Sequence, residues 1–188
     1  MYNTDKMAIF IDGGYFGRIL MDEYDLGLAQ VDYSKLEDLI SDGHSHLRTY
    51  YYDCLPLIED GATESTKRAL RDAENFHADL QKLDRFEVRL GTLKRKRTRH
   101  GDLTVEQKRV DVQLAVDIVR LSLKGFISHA AIITGDTDFI PAIRAAKDAG
   151  VIVRVYNAWK SNKPDELWQC ADERYEVNNE FIESIKTA

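Results

Sequence analysis

The stretch Ala130-Ala131-Ile132-Ile133-Thr134-Gly135-Asp136-Thr137-Asp138-Phe139 decides how this chain is read. Four apolar residues run into a threonine, a glycine and two aspartates one residue apart, and helical spacing follows. The first strand-like run is built the same way: Met7-Ala8-Ile9-Phe10-Ile11, then Asp12-Gly13-Gly14. Strands buried on both faces appear as near-continuous apolar runs, and in open α/β sheets ligands bind beyond the carboxyl ends of the strands. Two such strands ending in carboxylates predict one acidic pocket at one edge of a parallel sheet.

Strand-like runs at Met7–Asp12, Leu47–Asp53, Phe86–Leu90, Ala130–Thr134 and Val151–Tyr156 alternate with helix-like runs. Gly14–Glu23 is a short helix. Thr63–Leu83 places Ala69, Leu70, Ala73, Phe76, Leu80 and Leu83 at helical spacing under a charged outer face. Val110–Leu123 is apolar on nearly all sides and is expected to be deeply buried. Phe139–Ala149 is helical and stops at Gly150, a natural C-cap position. Alternation of this kind specifies an α/β fold with a central parallel sheet and helices on both faces. Residues 1–160 are read as the domain, and 161–188 as a helical extension of one or two short helices packed on it.

The 188 residues suffice for one domain with a full core. The 44% apolar and 31% charged fractions are those of a globular chain rather than a disordered one. No apolar run approaches the roughly 20 residues that span a bilayer. The polar start, Met1 to Lys6, lacks a signal-peptide pattern, and the two cysteines, Cys54 and Cys170, stand in unrelated contexts. A reducing, cytoplasmic setting is expected. The net charge of −6 is uneven: Lys94 to Arg109 holds seven basic residues against Asp102 and Glu106, so this window carries +5 and the remainder −11.

Asp12, Asp136 and Asp138 are the first candidates for chemistry. A helix cap explains one strand-end acid comfortably, and Asp138 or Thr137 could cap the helix that follows, but a cap does not explain three acids. Crowded carboxylates repel, and a divalent ion removes the conflict; all-oxygen ligands favour Mg²⁺ or Mn²⁺ over Zn²⁺. Asp111, inside Val110-Asp111-Val112, is costly to bury without a partner and joins the set, with an N-cap as its alternative role. Asp117 lies six positions on, about 120° around the helix, and is expected to orient a basic partner or a loop rather than share a ligand. The run Lys94-Arg95-Lys96-Arg97-Thr98-Arg99-His100 reads as a hairpin or lid with Thr104–Gln107 as the returning strand. It is either a solvated loop or, with Lys108 and Arg109, a phosphate-backbone contact. His44-Ser45-His46 has strand spacing for a metal but no third ligand near it, so a polar loop is the expectation. Tyr50-Tyr51-Tyr52 is read as strand, with alternate rings in the core.

These residues together resemble the NYN domain family, LabA-like proteins of the PIN-like nuclease superfamily. The resemblance rests on Ile9-Phe10-Ile11-Asp12-Gly13, on Lys108-Arg109-Val110-Asp111-Val112-Gln113-Leu114-Ala115-Val116-Asp117, and on Ile133-Thr134-Gly135-Asp136-Thr137-Asp138-Phe139-Ile140-Pro141, and it spans about Met7 to Asn157. Tyr51-Tyr52-Asp53 and Val88-Arg89-Leu90-Gly91 are also family-like. It implies a PIN-like, Rossmann-like three-layer fold of about five parallel strands, with the first strand central and beside the fourth of the five runs. It implies that Asp12, Asp111, Asp136 and Asp138 form a catalytic, Mg²⁺- or Mn²⁺-binding site, supported by Thr134, Asp117 and Tyr15. It further implies RNA as substrate, with Lys94, Arg95, Lys96, Arg97, Arg99, Lys108 and Arg109 along the backbone. No membrane contact is implied, and a homodimer is one assembly open to the chain.

Tyr15 is a departure, because the family usually has Asn three residues after the first Asp. It motivates a second expectation, a non-cutting RNA-binding or regulatory module. A small-molecule phosphatase is the third, but Gly14 stands where an aspartyl-phosphate enzyme would carry its second Asp.

Overall fold

A computed structural model describes residues 5–58, 61–97, 103–108, 110–158 and 165–187. Among these residues, seven strands form one sheet: β1 (Lys6–Asp12), β2 (Ser45–Cys54), β3 (Phe86–Arg97), β4 (Leu103–Lys108), β5 (His129–Ile133), β6 (Ile152–Ala158) and β7 (Glu173–Val177). Their order is β4-β3-β2-β1-β5-β6-β7. Six strands are parallel, and β4 runs antiparallel to β3 as the return of a hairpin. The sheet thus exceeds the expected five strands by β4 and β7.

Among the described residues, seven α-helices cover it: α1 (Gly13–Tyr24), α2 (Tyr33–Ser41), α3 (Glu64–Leu80), α4 (Val110–Leu123), α5 (Ile140–Asp148), α6 (Asp165–Cys170) and α7 (Asn179–Ile185). Helices α4, α5 and α6 pack on one face, over Phe10, Tyr50, Tyr52, Ile132 and Val155. Helices α1, α2, α3 and α7 pack on the other, over Ile9, Ile11, Tyr51 and Ile133. Met7 through Ile11 have no exposed surface at all, as a central, doubly covered strand requires. The tyrosine run alternates as strand periodicity demands, Tyr51 to one face and its neighbours to the other; all three are buried, so none offers a ring for base stacking.

The chain builds β1, β2 and β3 outward in one direction, then returns to lay β5 on the other side of β1. The strand order therefore reverses between β1 and β5, the position where doubly wound sheets open a crevice. Local chemistry sets each boundary. Asp12 caps α1 through the Tyr15 amide, and Asp32 caps α2 through the Ser34 and Lys35 amides. Gly150 takes a left-handed φ of 83° just past α5, which lets the chain turn at once into β6.

Three elements differ from the sequence reading. Helix α2 lies in a stretch too short and polar to stand out. The C-terminal segment holds β7 between α6 and α7, so it extends the sheet as well as adding helices. Helix α4 packs only one side on the sheet: Leu114 and Ile118 are fully buried, whereas Val112 is 67%, Val116 55% and Leu123 69% exposed.

Candidate functional site

At the reversal point a cleft of about 830 Å³ is lined by Asp12, Tyr15, Arg18, Asp22, Glu23, Asp111, Gly135 and Asp136, among others. Asp12 ends β1, Asp111 sits in the first turn of α4, and Asp136 follows β5. Elements far apart in sequence thus bring carboxylates to one crevice.

Thr134 ties two of these elements together. Its hydroxyl donates to Asp12 Oδ2 at 3.1 Å and accepts from the Asp136 amide at 3.2 Å. Asp12 Oδ1 accepts the Tyr15 amide at 3.0 Å, and Asp136 Oδ1 accepts the Asp138 amide at 2.9 Å. Asp12 and Asp136 therefore each use one oxygen as a cap. The cap after β5 is Asp136, with Asp138 inside the short 3₁₀ turn Thr137–Phe139. Asp111 lies one residue into α4, past the N-cap position.

Burial pushes the Asp12 carboxyl up to about 6, against the opposing pull of the Tyr15 amide and Thr134 hydroxyl; the charge of Asp111 pushes the same way. Asp111 is also raised, first by burial and then by repulsion from Asp136 and Asp138. Arg18, whose Nε donates to the Gly14 carbonyl at 3.3 Å, is the basic residue among those lining the cleft. An all-carboxylate donor set with mutual repulsion and little counter-charge suits a hard divalent cation. Among the described residues, these carboxylates are spaced more widely than a closed cage of direct ligands. Mg²⁺ keeps several of its waters and binds through one or two carboxylates, so a wide acidic cup fits it better than it fits Zn²⁺.

Tyr15 shapes the wall of the cleft. Its hydroxyl donates to Asn157 Oδ1 at 2.6 Å and accepts from the Ala158 amide at 3.1 Å, joining α1 to the end of β6. Asn157 Nδ2 reaches the Thr134 carbonyl at 3.4 Å. The Tyr15 ring lies so close to Gly135 that a Cβ there would fall 2.2 Å from Cε2. Glycine at 135 is thus a steric requirement of the aromatic ring at 15.

Asp117 is elsewhere. It is 3% exposed and accepts from Tyr52 Oη at 2.8 Å, from Arg120 Nη2 at 3.0 Å and from Arg89 Nη1. Asp117 thus orients basic partners, as its place on the helix predicts; it is a buried counter-ion between α4, β2 and β3 and is not among the residues lining the cleft. An acid midway along a helix on its sheet-facing side is directed at the sheet, and the arginines follow it there. The backbone of Lys94, Arg95, Lys96, Arg97 and Lys108 forms the β3–β4 hairpin, with Lys94 opposite Glu106 and Thr92 opposite Lys108. Arg99 and Arg109 lie outside the described residues.

Sequence reasoning missed Asn157, Arg18, Asp22 and Glu23. Asn157 is the polar residue after the apolar run of β6, the same signal that marked Asp12. Gly14, Arg18 and Asp22 recur at four-residue spacing, one face of α1.

The histidines separate. His46 faces Glu37 Oε1 at 2.5 Å and Thr49 Oγ1 at 3.0 Å. His44 joins Asp5 and His129 at the opposite edge of the sheet, where one ligand atom from each lies within 4.8 Å of the others. His44 Nδ1 contacts Asp5 Oδ1 at 2.6 Å and Nε2 contacts Arg154 Nη2 at 3.0 Å. Arginine only donates, so Nε2 accepts and Nδ1–H donates, leaving His44 no lone pair for a metal.

The profile of the NYN domain matches residues 6–178, nearly the whole chain. The chain belongs to the NYN domain family. NYN domains fall in the PIN-like nuclease superfamily, whose nucleases generally use divalent ions. A solved protein of unknown function from Vibrio parahaemolyticus is 18% identical, with a TM-score of 0.69, over 100% of this chain and 99% of that one. This likeness bears out the three-layer fold. The MurG structure from Acinetobacter baumannii is 14% identical with a TM-score of 0.41, over 97% of this chain and 44% of that one. No curated protein matches the sequence. No described helix is long and apolar enough to cross a membrane.

Proposed function

We propose that this NYN protein is a Mg²⁺- or Mn²⁺-dependent ribonuclease whose ion is held by Asp12, Asp111, Asp136 and Asp138. The observation that carries the reading is the cleft at the strand-order reversal, where carboxylates from β1, α4 and the turn after β5 meet with Arg18 as basic neighbour. A divalent ion there supplies an acidified water and neutralises charge on the attacked phosphate. The chain does the rest. Thr134 holds Asp12 in one rotamer relative to Asp136. Tyr15 and Asn157 fix the wall between α1 and β6. Arg18 offers a cation at the cleft for a phosphate oxygen, and the basic residues Lys94, Arg95, Lys96, Arg97, Arg99, Lys108 and Arg109 supply charge for phosphate contacts that read no sequence. RNA in the cytoplasm is the partner this reading assigns.

The test is cleavage of a labelled single-stranded RNA in Mn²⁺ by the parent, Asp12→Asn and Asp136→Asn, beside calorimetric titration of Mn²⁺. The expected result is cleavage by the parent alone and weakened ion binding in both variants. If Asp136→Asn cuts as fast as the parent, with contaminating nuclease excluded, the mechanism is wrong.

A second reading, a module that binds RNA without cutting it, is favoured by Tyr15, whose side chain is committed to Asn157 and Ala158. RNA affinity without product across Mg²⁺ and Mn²⁺ titrations selects it, and a product that depends on Asp12 excludes it.

A further inference from the structure

Helix α4 closes on a turn that fixes two side chains. Gly125 takes a left-handed φ of 64°, its amide reaches the Ser122 carbonyl at 3.0 Å, and the Phe126 amide reaches the Leu121 carbonyl at 3.1 Å. This is a Schellman close, in which the residue after the glycine frequently packs back on the last turn. Phe126 is instead 52% exposed, and Lys124 Nζ lies 5.8 Å from its ring centroid. Both line a groove of about 260 Å³ against the start of β2, together with Arg48, Arg120 and the buried Tyr50.

Positive charge is in surplus at this groove. Arg48 pairs with Glu87, Arg89 with both Glu87 and Asp117, and Arg120 with Asp117. Three guanidinium groups thus share two carboxylates. Lys124 adds a fourth cation, and among the described residues its ammonium contacts the Phe126 ring rather than a carboxylate. Four cations against two carboxylates leave +2, in a chain whose net charge is −6. Cations at a helix C-terminus answer the helix dipole, which accounts for Arg120 and Lys124. It accounts neither for Arg48, which faces them from β2, nor for the ring left in water.

A surplus of cations in a concave site suits an anion, and the groove narrows its class. Arg48 and Arg120 each spend one nitrogen on a carboxylate and keep others to donate, the geometry that takes a phosphate. An exposed ring flanked by cations is a platform on which a base stacks, a use that an acidic peptide does not make. Phosphate and base side by side are the two parts of a nucleotide. We infer that this groove binds single-stranded RNA, with phosphates on Arg48, Arg120 and Lys124 and a base on Phe126. The choice of RNA rests on the proposed substrate of the acidic cleft, but binding here needs no cleavage. Lys124 stands 13 residues beyond Asp111, about 20 Å along the axis of α4. At a stacked rise of about 3.4 Å per nucleotide, roughly six nucleotides separate the groove from the cleft.

Fluorescence anisotropy of an end-labelled single-stranded RNA dodecamer with the full chain tests it, in a chelating buffer so that no strand is cut. The parent is expected to bind. Lys124→Ala should lower the steepness of log Kd against log salt concentration by about 0.7, the share of one phosphate on a single strand. Phe126→Leu should weaken binding about fivefold or more with the steepness unchanged, and Phe126→Tyr, which keeps a ring, should not. A parent that does not bind the dodecamer overturns the inference. So does parental affinity in both Lys124→Glu and Phe126→Leu. Competition by adenosine monophosphate as effective as by unlabelled dodecamer assigns the groove to a free nucleotide, and the same from an oligoglutamate peptide assigns it to an acidic chain; either overturns RNA as the occupant. Loss of affinity in these variants beside a parent that cuts no RNA in Mn²⁺ removes the ribonuclease reading alone. Cleavage by a parent whose affinity none of these variants changes removes the groove alone.

Discussion

The hydroxyl of Tyr15 donates to Asn157 Oδ1 across 142 positions of sequence, at 2.6 Å. This bond closes the cleft wall by joining the first helix to the sixth strand. Tyr15→Phe keeps the ring and removes the hydroxyl, so it leaves Asn157 Oδ1 and the Ala158 amide without that partner. A loss of about 1–2 kcal/mol in urea unfolding is expected, the usual cost of leaving part-buried polar groups unpaired. Mn²⁺ affinity should change far less than in Asp12→Asn.

Gly135→Ala introduces a methyl group into the Tyr15 ring. The displacement should cost about 1–3 kcal/mol, as overpacking does. Combining it with Tyr15→Ala, which vacates the space, should cost less than the two separate losses added together. Chemical denaturation of the four proteins measures the coupling.

The raised carboxyl of Asp12 predicts a pH dependence of known sign. Its ordinary value is 3.8 and its folded value about 6, so between those limits the folded chain holds a proton that the unfolded chain has released. Stability of the ion-free protein therefore falls as pH rises through that window. Thermal unfolding in a chelating buffer at several pH values should show the decline, and Asp12→Asn should flatten it.

Asp117→Ala should behave as a core lesion and not as a site lesion. It takes one carboxylate from Arg89, which keeps Glu87, and removes the acceptor of Tyr52 Oη, so a loss of about 1–3 kcal/mol is expected, the usual cost of leaving a buried polar group unpaired. Mn²⁺ titration of the folded variant should match the parent. A selective loss of ion binding without a loss of stability would return Asp117 to the acidic site.

The fold was legible wherever burial is two-sided. Met7–Ile11 and Ala130–Ile133 have no exposed side to encode, so they appear as unbroken apolar runs, and their carboxyl ends mark the crevice. Asp12 and Asp136 follow from that rule alone, whereas Asp111, in the first turn of α4, is marked by its place between two valines. Asn157 follows from it too, but an amide after a strand draws less notice than an acid. The edge strand β7, Glu-Arg-Tyr-Glu-Val, is half solvated and resembles any polar tail. The nine residues of α2 carry Tyr33, Leu36 and Ile40 on one face, too few turns for a periodic signal to emerge. Helix α4 differs for the opposite reason: its many apolar residues suggest deep burial, but Val112, Val116 and Leu123 lie on its outer side and are exposed.

The acidic cup takes its members from positions 12, 111 and 136, the last of them beyond the strand that completes the centre of the sheet. A chain still emerging from the ribosome, with β5 unmade, holds Asp12 and Asp111 but neither Thr134 nor Asp136 to set them. The crevice thus arises only once β5 and the turn after it are made, and a product truncated before them keeps Asp12 and Asp111 without any means of gathering them.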